Sequence, residues 1–207
     1  MCMTPTRHRN RNPRGEGERL RDEIIDAAVA LIGEHGQEGL SLRAIARKAG
    51  VTAPAIYAHF EDLDSVRRAV MSSAFADFAE YLRRHGSGHR NPAGRLRALC
   101  RAYTEYGIAQ PQRYAVMFGP LAKPPSQGAA TSIVDTPGGE AFTLLLNAIR
   151  GCVDAGASHS TQPYDDAIAV WVALHGYVGL HTAIRDIPWP AGDTLLDTIV
   201  DRLAQLS

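Results

Sequence analysis

The sequence predicts an all-α chain in two parts, an N-terminal three-helix unit built on a helix-turn-helix and a larger C-terminal helical domain. Two observations predict it. Apolar residues recur three and four apart from Ile24 to Leu206, with no convincing alternating strand and no internal repeat. Within that pattern residues 41 to 60, SLRAIARKAGVTAPAIYAHF, carry core positions spaced as in two short helices joined by a tight turn. A chain of 207 residues, 45% hydrophobic and 21% charged, has the composition of an ordinary globular protein of one or two domains.

The elements follow in order. Residues 18–35 form an amphipathic helix with Ile24, Ala28, Leu31 and Ile32 on one face and Arg19, Arg21, Asp22 and Glu23 in its first turns, closed by Gly36. Leu42, Ile45 and Ala46 give the next helix a compact face, with Ala46 small where another helix must cross. Gly50 then supplies a turn residue free to take positive φ, and Val51 fills the corner. Thr52 can cap the third helix, Pro54 is tolerated in its first turn, and Ile56 and Phe60 sit four apart, so that helix is expected from about Thr52 to Phe60. Asp62 or Asp64 can cap a long helix to about Arg84, striped by Val66, Val70, Ala74, Phe78 and Leu82. Gly86, Gly88, Asn91 and Pro92 break the chain before a helix over 93–109, and Pro111 starts a short one through Phe118. Proline and glycine between Gly119 and Gly139 predict a long loop, after which helices are expected at 140–155, 164–185 and 193–206.

The run from Ile24 through Phe60 resembles the N-terminal domain of TetR-family transcriptional regulators, whose signature ends in a Tyr-x-His-Phe element like Tyr57, Ala58, His59 and Phe60. One position departs: Leu63 stands where the family usually carries a lysine for a DNA phosphate, and Arg67 or Arg68 is the available substitute. The C-terminal half carries a second resemblance. Tyr106, Gln110, Pro111, Tyr114, Met117 and Phe118 look like the helix-break-helix of a TetR subfamily, and Trp171, His175 and Gly176 match its Trp-His-Gly signature. Residues 1–17, rich in Arg, Pro, Asn and Gly, cannot form a core and are expected to be an N-terminal arm disordered off DNA; the resemblance implies a DNA-binding domain over 18–62 and a ligand-binding and dimerisation domain over 63–207. It further implies a homodimer formed through the helices at 164–185 and 193–206.

In a helix-turn-helix mechanism the third helix enters the major groove, with Ala53, Pro54 and Ala55 nearest the base edges. Those three have no side-chain donors, so base reading falls to apolar contacts with thymine methyls and to Arg43, which can hold guanine bidentately. Thr52, Tyr57 and His59 are expected to hold phosphates. A dimer would space two such helices roughly 34–36 Å apart and read a near-palindromic operator. Arg7, Arg9, Arg11 and Arg14 concentrate positive charge in the arm, which suits either a minor-groove contact or a solvated leader. The formal net charge of zero excludes a uniformly basic nucleic-acid binder but not a local one, since residues 1–60 hold nine basic and seven acidic groups.

The expected effector is a small, largely apolar molecule, with Tyr106, Met117, Phe118, Phe142, Trp171 and His175 the candidate wall. His175, alone on an apolar helix, suits a hydrogen-bonded core residue or a ligand contact. Gly176 and Gly179 on the same helix each cost roughly 1 kcal/mol against alanine, so they suggest close approach by a partner helix or ligand. Catalysis is not expected: no nucleophile-base pair, phosphate loop or metal spacing stands out, and no cofactor is implied. His85 and His89 bracket a glycine break and read as a solvated turn. Cys2, Cys100 and Cys152 lack paired spacing, which argues against disulfides and zinc and for a reducing cytoplasm. No apolar run reaches the roughly 18 residues of a membrane span. A repressor, released from DNA by its ligand, is the reading these residues support.

Overall fold

The computed structural model describes residues 16–86, 88–118, 132–184, 186, 188–190 and 193–207. The regular structure of these residues is helical, with two 3-10 turns and an isolated bridge between Ser158 and Leu206. The chain divides into two compact units, Met1–Ala69 and Val70–Ser207. Most of the expected arginine-rich arm, residues 1–15, and most of the expected loop, residues 119–131, lie outside the described residues.

In the first unit α1 spans Glu16–His35, α2 Leu42–Ala49 and α3 Ala53–Tyr57, and α4 begins at Leu63. Each closes for a local reason. Gly36 and Gly50 both take positive φ, 68° and 69°, where a Cβ would be strained. Ser41 caps α2 by accepting from the Ala44 N–H at 3.2 Å. Asp62 and Ser65 cap α4 reciprocally: the Ser65 N–H donates to Asp62 Oδ1 at 2.7 Å and the Asp62 N–H to Ser65 Oγ at 3.2 Å. Ile24, Ala28, Ile45, Ile56 and Val66 are sealed in the shared core, where α1 packs on α2 and α2 on α3.

The second unit holds the rest of α4, which ends at Gly86, then α5 (Pro92–Ala109), α6 (Pro111–Phe118), α7 (Gly139–Asp154), α8 (Pro163–Ala183) and α9 (Thr194–Leu203). Asn91 caps α5 by accepting from the Ala93 N–H at 2.9 Å. The α5 helix is the hub, packing against α6, α7, α8 and α9. Its Gly107 permits that crossing, because a Cβ there would lie 2.7 Å from Val178 Cγ1 on α8. The chain end is tied back by Ser158 Oγ, which donates to the Ala204 carbonyl at 2.7 Å, and by the His159 N–H on the Gln205 carbonyl at 2.9 Å.

One expectation needs correction. The third helix stops at Tyr57 rather than Phe60, because the chain must turn to bury Phe60, leaving the His59 and Phe60 N–H groups on the Ile56 carbonyl at 2.9 Å. Asp201 receives Arg97 bidentately at 2.7 and 3.0 Å, and Asp197 pairs with Arg101, so α9 docks on α5 through charge as well as through Leu196 and Val200. On α8, Ala167, Val170, Leu174 and Val178 are buried, whereas Val172 and Leu180 are 60% and 49% exposed in the single chain.

Candidate functional site

Two regions carry the residues that the sequence singles out. In the first unit the turn between α2 and α3 is rigid: the Val51 N–H donates to the Ala46 carbonyl at 2.9 Å, and Gly50 occupies the left-handed conformation. Gly50→Ala is therefore expected to destabilise the unit by about 1–2 kcal/mol, read as a lower denaturant midpoint. Nothing lies within 4 Å of the added methyl, so backbone strain alone sets the cost. Thr52 occupies the N-cap position of α3 but makes no side-chain capping bond, which leaves its exposed hydroxyl uncommitted. Pro54 and Tyr57 are exposed, and Ala53, Ala55 and His59 half-exposed.

The charges around α3 sort themselves. Arg43 and Arg47 on α2 are exposed and have no ion-pair partner among the described residues, whereas Lys48 is spent on Glu34 at 2.5 Å. Arg21 lies 5.2 Å over the Phe60 ring, pinning the turn after α3 to α1. At the start of α1, a Cβ on Gly17 would sit 3.7 Å from His59 Cε1, so α1 begins beside the far end of α3. Leu63 opens α4 with a half-exposed apolar side chain, and Arg67 next to it pairs with Asp64 at 3.1 Å.

The second region is a cavity of about 180 Å³ within the second unit. Six rings line it: Phe75 and Phe78 of α4, Tyr103 of α5, Phe118 of α6, Phe142 of α7 and Trp171 of α8. Leucines 82, 99, 145 and 174, with Cys100, fill between them. Of the six residues expected at this wall, Phe118, Phe142 and Trp171 line it. Tyr106 instead packs at 5.0 Å on Phe78, Met117 is buried in α6, and His175 stands behind Trp171 and Phe118 at 5.0 and 4.3 Å. Phe75, Tyr103 and the α4 contribution were missed as lining, since a helical stripe marks burial without telling core from cavity wall.

Behind the wall, His175 bridges two tyrosines. Its Nε2 lies 3.0 Å from the Tyr103 hydroxyl and its Nδ1 2.6 Å from that of Tyr114, joining α8 to α5 and α6. Burial pushes the Tyr114 phenol up to about 12 and the His175 ring down to about 4, so at pH 7 all three groups are neutral. The unfolded chain takes up the histidine proton near 6.5 and the folded chain only near 4. Stability from this group is therefore complete above about 6.5 and declines as the pH falls through that window. His175→Gln is expected to flatten that decline in denaturant midpoints, and an unchanged slope would remove His175 as its source.

Among the described residues no cluster of three or more His, Cys, Asp or Glu is arranged to hold a metal, and no helix is long and apolar enough to cross a membrane. A helix-turn-helix unit joined to a helical domain with its own cavity defines the class: a transcriptional regulator with a separate C-terminal domain. The signature of bacterial regulatory proteins of the tetR family matches residues 24–70, and that of the tetracyclin repressor-like C-terminal domain matches residues 96–203. The chain belongs to the TetR family of transcriptional regulators.

Similar proteins agree. The uncharacterized HTH-type transcriptional regulator Rv0681 of Mycobacterium tuberculosis is 26% identical over 80% of this chain and 72% of its own length. The HTH-type transcriptional regulator Rv1816 of the same organism is 28% identical over 65% of this chain, which spans 59% of that relative. The crystal structure of a TetR family transcription regulator from Marinobacter aquaeolei VT8 shares the fold, with a TM-score of 0.68 at 16% identity over 93% of this chain and 97% of that one.

Proposed function

We propose that this regulator is a homodimeric cytoplasmic repressor, released from a near-palindromic operator by a small apolar ligand. One observation carries the reading: Phe75 and Phe78, two rings of the cavity wall, belong to α4, the helix within which the chain passes from one unit to the other. A ligand that displaces these rings acts on the segment leading directly to the DNA-binding unit. Differential affinity for two dimer conformations of about 1–3 kcal/mol changes operator affinity roughly 5- to 150-fold, and operator DNA weakens the ligand by the same factor. The Trp-His-Gly signature at Trp171, His175 and Gly176 supports assignment to the subfamily named for it, because two of those residues form or back the cavity wall.

On DNA, α3 presents Ala53, Pro54 and Ala55 to base edges, Arg43 reads guanine, and Thr52, Tyr57 and His59 hold phosphates. The Thr52 hydroxyl, which makes no capping bond, the 59% exposed Tyr57, and Arg43, which has no ion-pair partner among the described residues, support these roles. The arginine-rich arm over residues 1–17 is suited to the adjacent minor groove. Arg43→Ala is expected to relax sequence preference at one position per half-site, at roughly 1–3 kcal/mol of discrimination. Tyr57→Phe should weaken binding to all sequences alike. Binding to operators altered one base pair at a time separates the two, and equal loss on every sequence for Arg43→Ala would remove it from the base-reading set.

Dimerisation uses α8 and α9. The exposed face of α8 carries Val172, Gly176, Gly179 and Leu180, spaced four, three and one apart, and a Cβ on either glycine would meet nothing within 4 Å in this chain. Leu195, Ile199 and Leu203 of α9 are half-exposed, which supports a shared apolar surface for the partner.

A further inference from the structure

Building on the reading of the cavity as an effector site, we propose that its ligand is a neutral molecule of one or two aromatic rings bearing a hydrogen-bond-accepting oxygen, which the Tyr103 hydroxyl grips. Three observations converge on this class. Among the described residues the wall contains no Asp, Glu, Lys, Arg or His, so an ionised group inside would find no charge partner among them, at a cost far above what one contact returns. The volume of about 180 Å³ compares with the roughly 150 Å³ of an apolar cavity that takes benzene, which sets a ligand of about ten heavy atoms. Six rings supply both faces and edges, the surfaces against which another ring packs offset or edge-on.

The oxygen follows from counting protons behind the wall. A neutral His175 and two tyrosine hydroxyls hold three hydrogen-bonding protons but make two bonds, so one hydroxyl proton is left over. The 2.6 Å contact to Tyr114 has the length of an O–H donor, and the 3.0 Å contact to Tyr103 that of an N–H donor. That assigns Tyr114 as donor to Nδ1 and His175 Nε2–H as donor to the Tyr103 oxygen. The spare proton is then that of Tyr103, the one member of the trio on the cavity wall.

The test is titration calorimetry of the full chain with matched single-ring probes: acetophenone, its isostere cumene, benzoate and benzylamine, with dodecanol as a long-chain apolar control. Acetophenone and cumene are expected to bind, and benzoate and benzylamine to bind at least 100-fold more weakly. In Tyr103→Phe the ratio of acetophenone to cumene affinity should fall roughly 3- to 10-fold, the worth of one hydrogen bond. The charge comparison uses the unaltered protein and so stands even if that variant folds poorly. Benzoate or benzylamine binding as well as acetophenone, an unchanged ratio in a folded Tyr103→Phe, or no binding by any probe would overturn the proposal. Dodecanol binding while both single-ring neutral probes fail would overturn the ligand class and leave the effector reading standing. Binding of the aromatics without any change in operator affinity would uphold the class and remove the effector reading.

Discussion

Leu180→Asp is expected to convert the dimer to a monomer and to lower operator affinity on the order of 10³-fold, the bottom of the usual gap between specific and non-specific binding. Leu180 is 49% exposed, so the substitution leaves the packing within one chain alone. In the dimer it would bury a carboxylate in an apolar helix face beside Gly176, Gly179 and Val172, where a charge has no partner to compensate its desolvation. A monomer retains one α3 and loses the second half-site, so the loss falls on specific binding while the weak salt-driven affinity remains. Sedimentation or light scattering reads the association, and a binding isotherm on the same sample reads the DNA. A Leu180→Asp protein that stays dimeric with intact operator affinity would move the interface away from α8.

Phe78→Ala carries the largest expected cost in stability, about 3–5 kcal/mol, against a total of roughly 5–15 kcal/mol for a typical protein. Phe78 is fully buried, and its ring lies 4.9 Å from Tyr103, 5.0 Å from Tyr106 and 6.3 Å from Phe118. Truncation removes three aromatic contacts at once and enlarges the cavity that the same ring borders. The variant should therefore unfold at a markedly lower denaturant concentration and accept a bulkier apolar ligand. A midpoint within experimental error of the parent would mean that the α4–α5–α6 junction closes over the missing ring, and with it that the cavity is plastic.

Much of this was legible in the sequence because the determinants are local. Gly50, the Ile45–Ala46 face and the pair Ile56 and Phe60 fix the helix-turn-helix by spacing, and the stripe from Val66 to Leu82 is buried as its period requires. The short α3 was not legible: its end depends on Phe60 turning under Arg21, a contact with α1 almost forty residues earlier. The same holds for α9, whose aspartates are claimed by Arg97 and Arg101 about a hundred residues away. At the cavity, Trp171, Phe118 and Phe142 were visible as apolar aromatics. The place of Tyr103 rather than Tyr106 at the wall was not, because the two lie three apart on α5, both are buried, and spacing alone does not tell which one lines the cavity. Nothing in the sequence marks Tyr114 and Tyr103 as the two ends of one histidine's hydrogen bonds.

The central claim is that this chain reads DNA as a symmetric dimer. Selection of bound duplexes from a random pool, followed by salt titration on the enriched sequence, tests it most directly. The account predicts an inverted repeat with half-site centres about one helical turn apart, and a log affinity that falls linearly and steeply with log salt while preference for the repeat persists. Enrichment of no sequence, or binding that is indifferent to sequence at every salt concentration, would contradict it.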